Sequence, residues 1–273
     1  MNRPNWIVEA DLHDQRQLLD LTDAIKRSGS KLAIVKITPA GLDNEYPFEV
    51  NTCTVYYGSL QGRWPIYKNG YIPGVYCEMD NYDCTKYYPV MDKYILNSNY
   101  CMLPYGAVKQ RKGWIYDRFS QDEVIFIRPN KGNKIFTGTI IKFEEFDKMY
   151  ERIGFYSVPS EELCVISSPK NIKKEWRFLV VDGKVITGSE YNKNGDGILY
   201  QSGPAFSFAQ LVVTNSNYNP DRAWTIDICE SNHGLNVLEI GCFSCAGLYA
   251  MDKDLVVQEI NRIALEEYNE FIQ

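Results

Sequence analysis

The dipeptide Asp182-Gly183, set between apolar runs at 176–181 and 184–191, constrains this chain more than any other feature. A two-residue link between strands needs positive φ at both turn positions, and Asp-Gly adopts such a turn readily, so the segment is expected to be a β-hairpin. Two further hairpins follow the same logic. Residues 124–128 and 134–141 flank the turn-forming run Pro129-Asn130-Lys131-Gly132-Asn133, and residues 224–230 and 236–243 flank a turn centred on His233. Helical spacing is found at 143–153, ending at Gly154, near 206–213, and at 255–271, with a strand expected at 163–166.

The first hundred residues have a different rhythm. A strand at 6–8, a helix carrying Leu18, Leu19, Leu21 and Ile25 before Gly29, a buried strand at 31–37 and a strand from 53 into Gly58-Ser59-Leu60 read as an α/β unit. Residues 61–100 are rich in Tyr, Asn, Gly and Pro and are expected to be irregular and packed by aromatics. With 20 Tyr, 12 Phe and 5 Trp the chain has ample surface to bury, which excludes disorder. A net charge of -6 argues against a nucleic-acid partner, which would require a basic face. The N-terminus lacks an apolar signal core, and no apolar run reaches the ~20 residues of a membrane span. A soluble, cytoplasmic protein without a membrane partner is expected. Its eight cysteines are then thiols, mostly small buried hydrophobes. Cys242 and Cys245, with Cys229 and His233 upstream, offer a zinc reading, but the second Cys-x-x-Cys that would strengthen it is missing.

Two like-charge pairs carry the chemistry. With its turn at His233, the last hairpin sets Asp227 opposite Glu239. Facing carboxylates repel at a β-carbon separation of about 5 Å. A divalent cation removes that repulsion, and Mg²⁺ favours such oxygen ligands together with phosphate; a wet, salt-screened face is the other reading. The first hairpin is the converse. It sets Arg128 opposite Lys134 and Phe126 opposite Phe136, beside Lys131-Gly132-Asn133, whose N–H groups suit phosphate. This is either an anion site or a solvated basic turn, and it is not a Walker motif. In the middle hairpin Glu175 is expected opposite Glu190. There Arg177 either neutralises those acids or presents its guanidinium to a transferring phosphoryl group.

In this order the motifs resemble the ATP-grasp superfamily, and most closely the small RimK-related clade of bacteria and phages. The resemblance rests on Phe126-Ile127-Arg128-Pro129, Lys134 to Gly138, Glu175-Trp176-Arg177-Phe178, Ile226-Asp227, and Leu238-Glu239 through Tyr249. It is looser at Tyr57-Gly58-Ser59-Leu60 and Pro73-Gly74. It implies an α/β (α+β) ATP-grasp fold: a pre-ATP-grasp α/β domain at 1–114, a small lid subdomain at 115–168 and a C-terminal subdomain at 169–273, the two α+β subdomains clasping ATP. It further implies that Arg128 and Lys134 hold phosphates and that a hinge of Cys164, Val165, Ile166 and Ser168 contacts adenine. Glu175 and Arg177 lie near the nucleotide, Arg177 and Lys134 act in catalysis, and Asp227 and Glu239 bind Mg²⁺. The implied activity is a carboxylate–amine ligase that passes through an acylphosphate and joins an amino acid, peptide or protein substrate to an amine. The alternative is a nucleotide-binding protein with a regulatory or structural role. Phosphoryl transfer of this kind needs positioning and charge stabilisation rather than a protein nucleophile. One departure stands out: many members read Glu-x-Asn on the last metal strand, where this chain has Glu239-Ile240-Gly241.

Overall fold

The computed structural model describes residues 3–10, 15–38, 41–42, 47–133, 135–155, 157–191 and 197–273. Its strands, in chain order, are β1 (Asn5–Glu9), β2 (Leu32–Val35), β3 (Ile37–Thr38), β4 (Gly41–Leu42), β5 (Cys53–Tyr57), β6 (Ile72–Gly74), β7 (Tyr100–Pro104), β8 (Val124–Pro129), β9 (Thr139–Lys142), β10 (Leu163–Ser167), β11 (Ile172–Val181), β12 (Lys184–Tyr191), β13 (Gly197–Leu199), β14 (Ala223–Ser231) and β15 (Gly234–Cys242). The chain divides into two compact units, one of Met1–Glu78, Lys174–Cys229 and Glu239–Gln273, the other of Met79–Lys173 and Glu230–Leu238. Residues 79–114, grouped with the N-terminal region in the sequence reading, therefore pack with the second unit.

In the first unit, β1 pairs in parallel with β2 and β5, and β5 with β6. Such strands are covered on both faces and hence continuously apolar: Trp6, Ile7, Val8, Val55 and Tyr56 are fully buried. The same unit carries most of a five-stranded sheet of order β13-β12-β11-β14-β15. The helix Lys253–Phe271, capped by Asp252, packs against β5, β6 and β12. One core joins these layers, running from Trp6, Leu21 and Val55 through Leu179 and Ala223 to Val256 and Ile260. Phe243 is at its centre, with ring centroids 6.5 Å from Trp6, 5.7 Å from Tyr57 and 6.4 Å from Tyr76.

The second unit holds a sheet of order β7-β10-β8-β9 over a core that includes Tyr116, Ile125, Ile127, Phe146 and Ile166. The helix Phe146–Gly154 closes it where helical spacing was expected. Residues 61–100 are more regular than expected. Helices Arg63–Lys68 and Cys84–Met91 form there despite Pro65 and Pro89, and the second buries Tyr87 and Tyr88.

Asp182 and Gly183 take φ of 47° and 74°, as the two-residue hairpin requires. Truncating Phe243 would open a cavity where both layers meet. Phe243→Ala is expected to cost about 3–5 kcal/mol, read as a lower denaturant midpoint at unchanged slope.

Candidate functional site

The site is built from one buried ion pair. β11 sits between β12 and β14, which places Arg177 beside Asp227 on the neighbouring strand. Arg177 Nε donates to Asp227 Oδ1 at 2.8 Å and Nη2 to Oδ2 at 2.7 Å, a bidentate fork. Side-chain exposure is 12% for Arg177 and 3% for Asp227, so the charges compensate each other away from water. Nη1 also donates to the Gly247 carbonyl at 3.3 Å. Burial works against the guanidinium charge, and Asp227 more than offsets it, holding Arg177 protonated well above the ordinary range.

Two tyrosines wall the pair. Tyr191 and Tyr249 stack with centroids 4.6 Å apart, and the Arg177 guanidinium lies 5.7 Å and 5.3 Å from their rings. The Tyr191 hydroxyl is placed to donate to Glu175 Oε2 at 3.0 Å or Asp227 Oδ2 at 3.1 Å. Burial, reinforced by Asp227, pushes that hydroxyl's pKa up, so it stays a neutral donor. Glu239 completes the setting, since its charge, with those of Glu175 and Asp227, acts on both tyrosines. The donor set fits a divalent cation. Three carboxylates face the Arg177 guanidinium, leaving excess negative charge. Asp227 has about four acceptor sites; up to three are used by Arg177 and Tyr191, leaving room for a metal ligand bond. Among the described residues, only Cys77, Cys242 and Cys245 form a His/Cys/Asp/Glu set of three within 4.8 Å, so the acids are not a three-carboxylate cage.

Several expected placements change. Glu175 faces Tyr191, and Glu190 faces Trp176, because the register shifts by one at a bulge between Leu179 and Val180. Glu190 therefore leaves the site; it accepts from Trp176 Nε1 at 3.1 Å and pairs with Lys174 at 3.2 Å. In the first hairpin Phe126 faces Ile140, not Phe136, and Arg128 faces Val165 of β10. Asn130, expected in the turn, instead caps the helix Cys84–Met91: its backbone carbonyl accepts from Cys84 N at 2.9 Å and its side chain from Thr85 N at 2.9 Å. The return strand then starts only at Thr139. Arg128 acts on the hydroxyls of Tyr87 and Tyr88, while Lys134 lies outside the described residues. Cys164, Val165 and Ile166 are fully buried in β10, which is paired with β7 and β8 on its two sides. Their backbone groups are thus committed to the sheet, while Ser168 lies beyond the strand and accepts from Lys170 Nζ at 3.0 Å and 2.9 Å. Cys229 and His233 do not join Cys242 and Cys245; Cys77 does. Sequence reasoning missed Tyr191, Tyr249 and Cys77, whose only signals were aromatic or thiol character far along the chain.

Gly241 has a local reason. A Cβ there would meet Thr225 Oγ1 at 3.0 Å, and that hydroxyl donates to the Gly241 carbonyl at 3.2 Å. This cross-strand contact agrees with the register that sets Asp227 opposite Glu239. The buried Thr225 side chain fills the space a larger residue at 241 would need.

A model of an ATP-grasp domain family, the third family of its clade, matches residues 93–260. The chain belongs to this ATP-grasp family. Among solved structures it is similar to the D-cycloserine synthetase DcsG, at 10% identity and TM-score 0.65, covering 95% of this chain and 99% of that one. It is also similar to D-alanyl-alanine synthetase A from Vibrio cholerae, at 11% identity and TM-score 0.63, covering 98% and 99%. A third is the ATP-grasp ligase PsnB in complex with a minimal precursor, at 12% identity and TM-score 0.56, covering 97% and 100%. No curated protein matches the sequence. The fold is ATP-grasp, and among the described residues no helix is long and apolar enough to cross a membrane.

Breaking a buried pair strands the surviving charge. Asp227→Asn is expected to destabilise the protein by about 3 kcal/mol. Asp227→Asn combined with Arg177→Met should lose clearly less, and denaturant titration of all four proteins in the cycle measures the difference.

Proposed function

We propose that this protein is an ATP-dependent carboxylate–amine ligase. The observation that carries the reading is the Arg177–Asp227 pair, set among Glu175 and Glu239 on strands that the ATP-grasp family match covers. In the proposed reaction a substrate carboxylate oxygen attacks the γ-phosphorus of ATP, and ADP leaves with the electron pair of the broken P–O bond. An amine then attacks the acylphosphate carbon, forming the C–N bond and releasing phosphate while the ammonium proton passes to solvent. No protein nucleophile is needed, since positioning and charge stabilisation supply the catalysis.

Asp227 and Glu239 are the proposed ligands for Mg²⁺, which when bound neutralises phosphate charge. Arg177 is held rigid by its fork to Asp227 and walled by Tyr191 and Tyr249. In this position it fixes the orientation of the Asp227 carboxylate and adds positive charge for the transferring phosphoryl group. Arg128 and Lys134 are the proposed phosphate contacts. For adenine, the committed backbone of Cys164, Val165 and Ile166 leaves Ser168 as the favoured contact of that stretch. The acceptor is proposed to be an amino acid or peptide, a class supported by structures of similar proteins bound to precursor peptides. A cytoplasmic location, where ATP is abundant, goes with this reading.

One observation favours a second reading, nucleotide binding without ligation. Thr225 fills the space beside Gly241 where many members place a ligating Asn. The two readings separate by phosphate release from ATP, screened against pools of amino acids and peptides with mass spectrometry of products. The ligase reading expects release that rises with one pool and a product one water lighter than its parts; release indifferent to every pool supports the second. Glu239→Gln is expected to lower stimulated release at least 100-fold with an unchanged circular dichroism spectrum, and full activity in the variant rejects the metal role. Gly241→Asn alone is expected to lose about 1–2 kcal/mol through overpacking against Thr225. Adding Thr225→Ala should restore the melting temperature.

A further inference from the structure

Outside the acidic site the first unit gathers three thiols from two distant segments. Cys77 follows β6, Cys242 ends β15, and Cys245 closes the short 3-10 turn Phe243–Cys245. Cys77 Sγ lies 2.9 Å from Cys242 Sγ and 4.0 Å from Cys245 Sγ, and all three sulfurs fall within 4.8 Å of one another. Their convergence is built by the backbone. The fully buried Ser244 accepts from Tyr76 N through its hydroxyl at 2.9 Å, donates from its own N to the Tyr76 carbonyl at 3.3 Å, and accepts from Gly58 N at its carbonyl at 2.8 Å. These bonds zip the 3-10 turn to the segment carrying Cys77. Cys77 and Cys242 are buried, while Cys245 is half-buried and opens the cluster towards solvent.

We propose that Cys77, Cys242 and Cys245 bind a zinc ion through three thiolates. Zn–S bonds of about 2.3 Å in tetrahedral geometry require sulfurs about 3.8 Å apart, a spacing that the observed separations bracket. Charge points the same way. Three thiolates on Zn²⁺ leave one net negative charge, and Arg63 supplies the compensating cation, with Nη1 3.7 Å from Cys77 Sγ and 3.4 Å from the Cys77 carbonyl. Soft sulfur donors select zinc over magnesium, so this site and the carboxylate site do not compete for one ion. Three protein ligands leave the fourth place to water or an added thiol on the side of Cys245. The bound ion would tie the segment after β6 to the end of β15, the strand that carries Glu239. The inference stands independently of ligase activity.

The test uses the whole protein, purified under reductant without chelator, given zinc sulfate and desalted. The wild type is expected to retain about one zinc per chain by elemental analysis. Cys77→Ser and Cys242→Ser should each lose it, while Cys229→Ser, outside the cluster, should keep it. X-ray absorption on the zinc-loaded wild type should show three sulfur neighbours at about 2.3 Å, a readout that holds even where a Ser variant fails to fold. Three results overturn the proposal: wild type that retains no zinc and has three reactive thiols, a folded Cys77→Ser that keeps zinc with three sulfurs, or zinc-free protein whose reductant-free digest yields a Cys77–Cys242 disulfide peptide.

Discussion

The contact between Arg177 and Asp227 is the constraint on which the candidate site depends. Two charges removed from water are tolerated only when each meets a partner of matching geometry and the remaining donors and acceptors are also used. Here the fork takes two guanidinium nitrogens, the Gly247 carbonyl takes a third, and the Tyr191 hydroxyl is in reach of the carboxylate that the fork holds. Every one of these partners comes from an element fixed elsewhere. β11 and β14 are neighbours inside the five-stranded sheet, and Tyr249 lies in the segment between the 3-10 turn and the last helix. The pair is better understood as a device for orientation than as a source of stability. Ion pairs in such positions rarely outperform well-packed apolar residues, but they fix two side chains in one arrangement.

The bulge between Leu179 and Val180 shows how local backbone irregularity places chemistry. Near the Asp182-Gly183 turn the ladder pairs Val181 with Lys184 and Val180 with Val185, as a two-residue hairpin dictates. Beyond the bulge the partner of each β11 residue moves on by one. Tyr191 rather than Glu190 then faces Glu175, and a neutral donor replaces a third acid beside Asp227. Without that shift two glutamates would face each other next to a buried carboxylate, a like-charge arrangement that β-sheets disfavour.

Much of this was legible in the sequence where the signal is local. Asp182-Gly183, the apolar alternation around it, the helix ending at Gly154 and the long C-terminal helix all act over a few residues, and the structure places elements there. What failed depended on distant partners. Nothing near Asn130 announces that it will cap the helix beginning at Cys84, and that recruitment moved the return strand and dissolved the expected pairing of Phe126 with Phe136. The bulge leaves no residue-type signature in 176–191. Cys77 is separated from Cys242 by the whole of the intervening fold, so a reading of spacing alone assembled Cys229 and His233 in its stead. The acids were found because facing strands within one short hairpin are predictable. The tyrosines that wall them were not, because one of them comes from beyond that hairpin and the other from a different one.

β15 links these observations. Side chains alternate across a strand, so Glu239 and Gly241 share the face that carries Asp227 and Thr225, while Cys242 turns to the other side and meets Cys77. A one-residue slip of this strand would exchange the two faces and lose both constellations at once. The register is held at both ends. Ser231 Oγ is in reach of the Gly234 carbonyl at 3.3 Å and accepts from His233 N at 3.0 Å at the turn, and Ser244 zips the chain just past Cys242. Gly241 is the point where the strands approach too closely for a side chain, so the Thr225 contact also serves as a register pin. The residue that departs from the family pattern is thus one that keeps Glu239 facing Asp227.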